Sequence, residues 1–128
     1  MDIDEYRYVE QWGARISQWD MAALVPLCDL YVASVSATIR WAIACGVPVV
    51  NYDVYRLRWT DYAGAPGVLR VEDKGEFASL VHRLTTDPAY YTIVRQQQES
   101  EAPRWGRLDG LAGSRLLRLL DTIAVRVN

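Results

Sequence analysis

A chain of 128 residues, 51% hydrophobic and 23% charged, has room for one domain around one core. Its formal net charge of −2, with no basic stripe, argues against nucleic acid as a partner. The longest apolar runs, around Met21–Cys28 and Trp41–Val50, are too short to span a membrane, and the acidic start MDIDEYR is not a secretion signal.

A cytoplasmic protein is therefore expected. Cys28 and Cys45 lie in apolar context without metal-ligand spacing, so they are expected to be buried free thiols, with no metal and no cofactor. The aromatic set is skewed, with eight Tyr and five Trp against one Phe. Tyr and Trp each carry a polar end, which places such rings at surfaces, clefts or interfaces.

In chain order, Tyr6–Gln11 has strand-type residues. Asp20 can cap a helix through Met21–Cys28, which Pro26 must kink or end early. Leu30–Ser34 and Val47–Asn51 are continuous apolar runs, the pattern of strands covered on both faces. Between them Ile39, Ala42, Ile43 and Gly46 keep helical spacing, with Gly46 as a left-handed stop and Pro48 beyond it.

Val68–Val71 is a further short strand. Asp73 and Glu76 resemble a capping box ahead of the stripe Phe77, Leu80, Val81 and Leu84. Asp87-Pro88 opens a polar helix toward Gln98. After a break at Pro103–Gly110, Leu116, Leu117, Leu120, Ile123 and Ala124 mark a last helix. The expectation is an α/β fold: a partial Rossmann-like, three-layer domain over 1–128. A short parallel sheet of three or four strands is flanked by helices, and a helical tail over about 88–128 packs back on it.

Ligands of open parallel sheets bind beyond the carboxyl ends of the strands, where helix N-termini point. Ser34, Ser36 and Thr38 fall on that edge. With Ser36 as the N-cap, the N–H groups of Ala37 and Thr38 would favour phosphate or carboxylate. Ordinary capping would use the same residues. Asn51, Tyr52, Asp53, Tyr55, Arg56, Arg58, Trp59, Asp61 and Tyr62 crowd the same edge, either as a ligand cleft or as an interface. Arg56 and Arg58 could meet an anion; Asp53 and Asp61 could hold sugar hydroxyls or pair with those arginines. His82, the one histidine, lies opposite the apolar stripe and is expected at the surface. There is no P-loop and no G-x-G-x-x-G or G-x-S-x-G motif.

The run CDLYVASVSATIRWAIACGVPVV resembles the nucleotide-binding C-terminal domain of two-domain (GT-B fold) glycosyltransferases and of the related UDP-N-acetylglucosamine 2-epimerases. The specific part is Leu30–Val50. The resemblance implies that Ser34, Ser36, Ala37 and Thr38 hold the diphosphate of a sugar nucleotide, UDP-linked in the epimerases. Trp41, Asp53, Tyr55, Arg56 and Arg58 are then candidates for nucleotide or sugar contacts.

Where the family commonly has a Glu that binds the ribose hydroxyls, this chain has Trp41, whose indole is a donor only. The family's first two strands also have no counterpart here. A fragment is then expected, whose N-terminal acceptor domain is missing and which is not catalytic alone. Either Tyr6–Gln11 moves in to pair with Leu30–Ser34, or a second copy pairs through a sheet edge or through the Tyr/Trp-rich loop. The implied function is donor binding in a glycosyltransferase of polysaccharide or glycoconjugate synthesis. The alternatives are an epimerase-like fragment or a non-catalytic interaction module with a vestigial nucleotide site.

Overall fold

The computed structural model describes residues 9–127. Its sheet has three strands, β1 (Tyr31–Ala33), β2 (Val49–Tyr52) and β3 (Val68–Val71), all parallel in the order β1-β2-β3. The helices are α1 (Met21–Leu24), α2 (Ile39–Ala44), α3 (Lys74–Thr86), α4 (Pro88–Trp105) and α5 (Ala112–Val127), with a 3-10 turn over Val25–Leu27. This is the expected α/β architecture of a short parallel sheet flanked by helices.

Local chemistry sets most boundaries. Asp20 Oδ1 accepts the Ala23 N–H at 2.9 Å, and Pro26 turns the end of α1 into the 3-10 turn. Gly46, at φ +70, closes α2 in a Schellman arrangement. Its N–H bonds Ile43 O and the Val47 N–H bonds Ala42 O, both at 2.9 Å. Asp73 Oδ1 accepts from Gly75 and Glu76, and Asp87 Oδ1 caps α4 through the Tyr90 N–H.

The sheet separates two cores. On one face Ile39, Ala42 and Ile43 of α2 pack with Val25, Val47, Val49 and Ala65. On the other, Val50 packs with Leu84 of α3 and Val94 of α4, flanked by Phe77, Leu80 and Val81. Ile39 and Ile43 are fully buried, and burying each side chain contributes about 1.5–3 kcal/mol.

Several expectations need correction. Of Tyr6–Gln11, only Val9–Gln11 lies within the described residues, and it forms a helical end and a turn. Within those residues it therefore does not pair with β1. Pro103 does not break the chain's helix: α4 runs through it to Trp105, without the one intrahelical bond that its missing N–H would have made. The tail divides. α4 packs on α2 and α3, whereas α5 makes no comparable contact with another element, and Leu116, Leu117, Leu119, Leu120 and Ile123 stay exposed. Cys28 and Cys45 are free thiols but only half-buried.

The connection from β2 to β3 carries no helix. Residues 53–67 form turns and irregular chain that must travel from the carboxyl edge of the sheet back to its amino edge. On the way Ala65 enters the core beside Ile39 and Ile43. An irregular connection of this length in a small domain is commonly a binding element.

Candidate functional site

At the carboxyl edge the turn after β1 and the loop after β2 face each other. Between them lies a cavity of about 90 Å³ lined by Val35, Ser36, Ala37, Asn51, Trp59, Asp61 and Tyr62. A second, of about 200 Å³, shares Asn51, Trp59 and Tyr62 and continues to Val68 and Arg70. Together they approach the lower end of small-molecule sites, about 300 Å³.

Asn51 is the floor of this cleft. It is 5% exposed, and its Oδ1 accepts the Val35 N–H at 3.0 Å. That bond holds Val35 at φ 47, a left-handed conformation that a β-branched residue adopts only under constraint. Among the described residues the other two non-glycine residues with positive φ are Arg56 and Arg58, in the opposing loop. Strain is thus concentrated on both sides of the cleft.

Ser36 is not the N-cap of α2: that position falls to Thr38, which makes no side-chain cap bond, while Ser36 Oγ accepts the Thr38 N–H at 3.3 Å in the turn before it. The Thr38 N–H is therefore not left for a ligand. The helix proper starts at Ile39, after Thr38. The hydroxyls form a chain, Tyr31 to Thr38 and Thr38 to Ser36, each link 2.6 Å. Either oxygen of each pair can be the donor, so the chain holds Ser36 Oγ at the cavity wall within one hydroxyl relay. The Ala37 N–H has no partner among the described residues. Ser34 is exposed and lines neither cavity.

Tyr62 closes the cleft from the loop side by donating to Ser36 O at 3.2 Å, its ring tilted against Trp105. Burial, aided by the Asp61 carboxylate and opposed by Arg40, pushes its phenol above the usual value, so it remains a donor at neutral pH.

The other candidates fall outside the cavity walls. Asp53 is fully buried. Its Oδ1 accepts the Leu57 N–H at 2.9 Å, and its Oδ2 accepts from Arg58 N–H at 2.7 Å and Arg70 Nη2 at 2.8 Å. Burial alone would raise its pKa, but the two backbone donors and the Arg70 charge together hold it below the ordinary carboxylate range. Asp53 thus pins the loop that carries Trp59, Asp61 and Tyr62. Arg58 reaches Glu72 at 3.6 Å while staying largely in solvent. Arg56 and Tyr55 are exposed, and Trp41 is half-exposed on α2. The guanidinium that does line the cleft is Arg70, which stands beside Asn51 in the β2–β3 register.

His82 is exposed, and no cluster of metal-ligating side chains occurs among the described residues. None of their helices is long and apolar enough to cross a membrane. No family model matches the chain, and no curated protein or solved structure matches it.

The sequence placed Asn51 on this crowded edge without a role of its own and did not single out Arg70. Asn51 at the end of an apolar strand is the one signal available, since an amide there must find a partner when buried.

Proposed function

We propose that this domain binds the diphosphate of a sugar nucleotide and forms the donor half of a glycosyltransferase, with the acceptor side and any general base supplied from outside these residues. The observation that carries the reading is a convergence of unused donors at the carboxyl edge of a parallel sheet. They are the Ala37 N–H and Asn51 Nδ2, with the Ser36 hydroxyl on the same wall. Such donors, fixed before the ligand arrives, stabilise charge that develops on a departing diphosphate. Arg70 adds a guanidinium to the same cleft.

Calorimetric titration with UDP, CDP and GDP tests this. One diphosphate is expected to bind saturably, and Asn51→Asp, which keeps an acceptor for the Val35 N–H but adds a negative charge, should weaken binding roughly tenfold or more. No binding of any diphosphate to a folded sample would contradict the reading.

A second reading has its own support. Tyr55 at 76% and Trp59 at 58% exposure suit a protein interface, with the nucleotide site vestigial. Trp41→Glu separates the two: nucleotide binding that appears only in this variant marks a decayed site.

A further inference from the structure

We propose that α5 is an interfacial helix that lies on an anionic lipid surface, its leucine stripe in the acyl boundary and its arginines at the headgroups. The inference goes beyond the cleft and stands whether or not the cleft binds a nucleotide.

The stripe is broad and uncovered. α5 runs for 16 residues, Ala112–Val127, which makes about 24 Å of helix. At the helical repeat Leu119, Ile123, Leu116, Leu120, Ala124 and Leu117 follow one another around an arc of about 160°. The leucines and Ile123 are each at least half exposed, and no other element packs closely on them. A helix of this length is marginal in water unless something covers its apolar face. Among the described residues nothing supplies that cover.

The charge pattern points to the occupant. Around the helix beyond Leu119 come Arg126, Arg115, Thr122 and Arg118, while Asp121, the one acidic residue of α5, stands at the other border beyond Leu117. Arg115 is tied to Asp109. Arg118 and Arg126 are exposed and have no acidic partner among the described residues. Three arginines against one aspartate thus gather on a single element, in a chain whose formal net charge is −2. Arginines bordering an apolar face lay their stems along that face and reach lipid phosphates with their guanidinium groups.

A second copy of α5 fits this pattern less well. An antiparallel pair would set the arginine border against its own copy, like charge facing like. A pair in either direction also buries only a narrow seam, which leaves Leu117 at the margin of the stripe in water. A lipid surface covers the full width.

The test is co-sedimentation of the whole chain with vesicles, at about 1 mM lipid, beside sedimentation equilibrium without lipid. One set of vesicles is phosphatidylcholine alone, and the other is phosphatidylcholine and phosphatidylglycerol in equal parts. The anionic vesicles should bind the chain roughly fivefold more tightly or better, and helical circular dichroism should rise on binding. Leu116→Gln/Leu120→Gln keeps good helix formers at exposed positions, and an unchanged denaturation midpoint checks the fold. It should weaken binding about tenfold or more. Arg118→Gln/Arg126→Gln should also weaken it roughly tenfold and remove the preference for anionic vesicles.

No pelleting with the anionic vesicles, equal pelleting with the neutral ones, or binding that survives either double variant overturns the proposal. A lipid-free dimer that Leu116→Gln/Leu120→Gln dissociates, with no vesicle binding, overturns it too and assigns the face to a second copy.

Discussion

Asp53 shows how the environment decides what one carboxylate does. In the sequence it sits among tyrosines and arginines as a plausible ligand contact. In the fold, three donors converge on it and it holds the loop ahead of Trp59 and Asp61. Its folded pKa lies below the value in the unfolded chain. The stabilisation is therefore present above about pH 4 and is lost as the pH falls through the folded value. Amide exchange at Leu57 and Arg58 should accelerate below about pH 4, and Asp53→Asn should show the acceleration at neutral pH. Unchanged exchange in that variant would remove Asp53 as the pin.

Gly67 and Gln98 make a second case at this scale. Gln98 is fully buried on α4, with Nε2 donating to Val47 O at 3.0 Å. A Cβ on Gly67 would meet the Gln98 side chain inside van der Waals contact. Gly67→Ala should cost about 1–3 kcal/mol by overpacking. Because the clash includes the Gln98 Cβ itself, it is gone only in the pair Gly67→Ala/Gln98→Gly, where denaturation midpoints should show the two changes to be non-additive. Pairing of Asp53 with nearby arginines was one of its two legible roles, but its bond to Arg70 and the burial of Gln98 on Val47 O depend on partners distant along the chain.

At the scale of elements, the helices and their caps were readable because they rest on local chemistry: Asp20, Gly46, Asp73 and Asp87 each act as their neighbours imply. Packing was not readable. α4 has little amphipathic pattern, yet Val94 and Gln98 bury it against the body, while the strongly striped α5 stays uncovered. Periodicity shows that a face is apolar, and says nothing of which element covers it. Leu120→Ala should thus change the unfolding free energy by less than about 0.5 kcal/mol, whereas Ile43→Ala should cost about 2–5 kcal/mol.

The start of α5 rests on Asp109. Its carboxylate takes both Nη groups of Arg115 and the Leu111 N–H. Arg115 is the main cause of a pKa lowered to about 2. The depressed value places this contribution above pH 4 and its loss between about pH 4 and pH 2. Part of the helical circular dichroism should fade in that window, and Asp109→Asn should remove the fading. An identical titration in the variant would contradict the assignment.

For the whole molecule, the parallel α/β layout was legible because buried strands read as short apolar runs separated by a helical stripe. The carboxyl-edge crowding of Asn51–Tyr62 was legible too. What stayed hidden was the course of residues 53–67, which cross one sheet face without a helix and bring Trp59, Asp61 and Tyr62 against the turn at Val35–Ala37. Pairing between segments so far apart in sequence leaves no local pattern. The outer edge of β1 carries no further strand among the described residues, and Val32 on it is half-exposed.

The central claim is that the cleft between the Val35–Thr38 turn and the 53–62 loop receives a diphosphate. The most direct test follows the backbone amides of Ser36, Ala37 and Thr38 and the side-chain amide of Asn51 by NMR during titration with UDP, CDP and GDP. The account predicts saturable shifts at Ala37 and Asn51 with one of them, and a smaller response at Thr38, whose N–H is already held by Ser36. No shift at Ala37 or Asn51 with any of the three, in a folded sample, would contradict it.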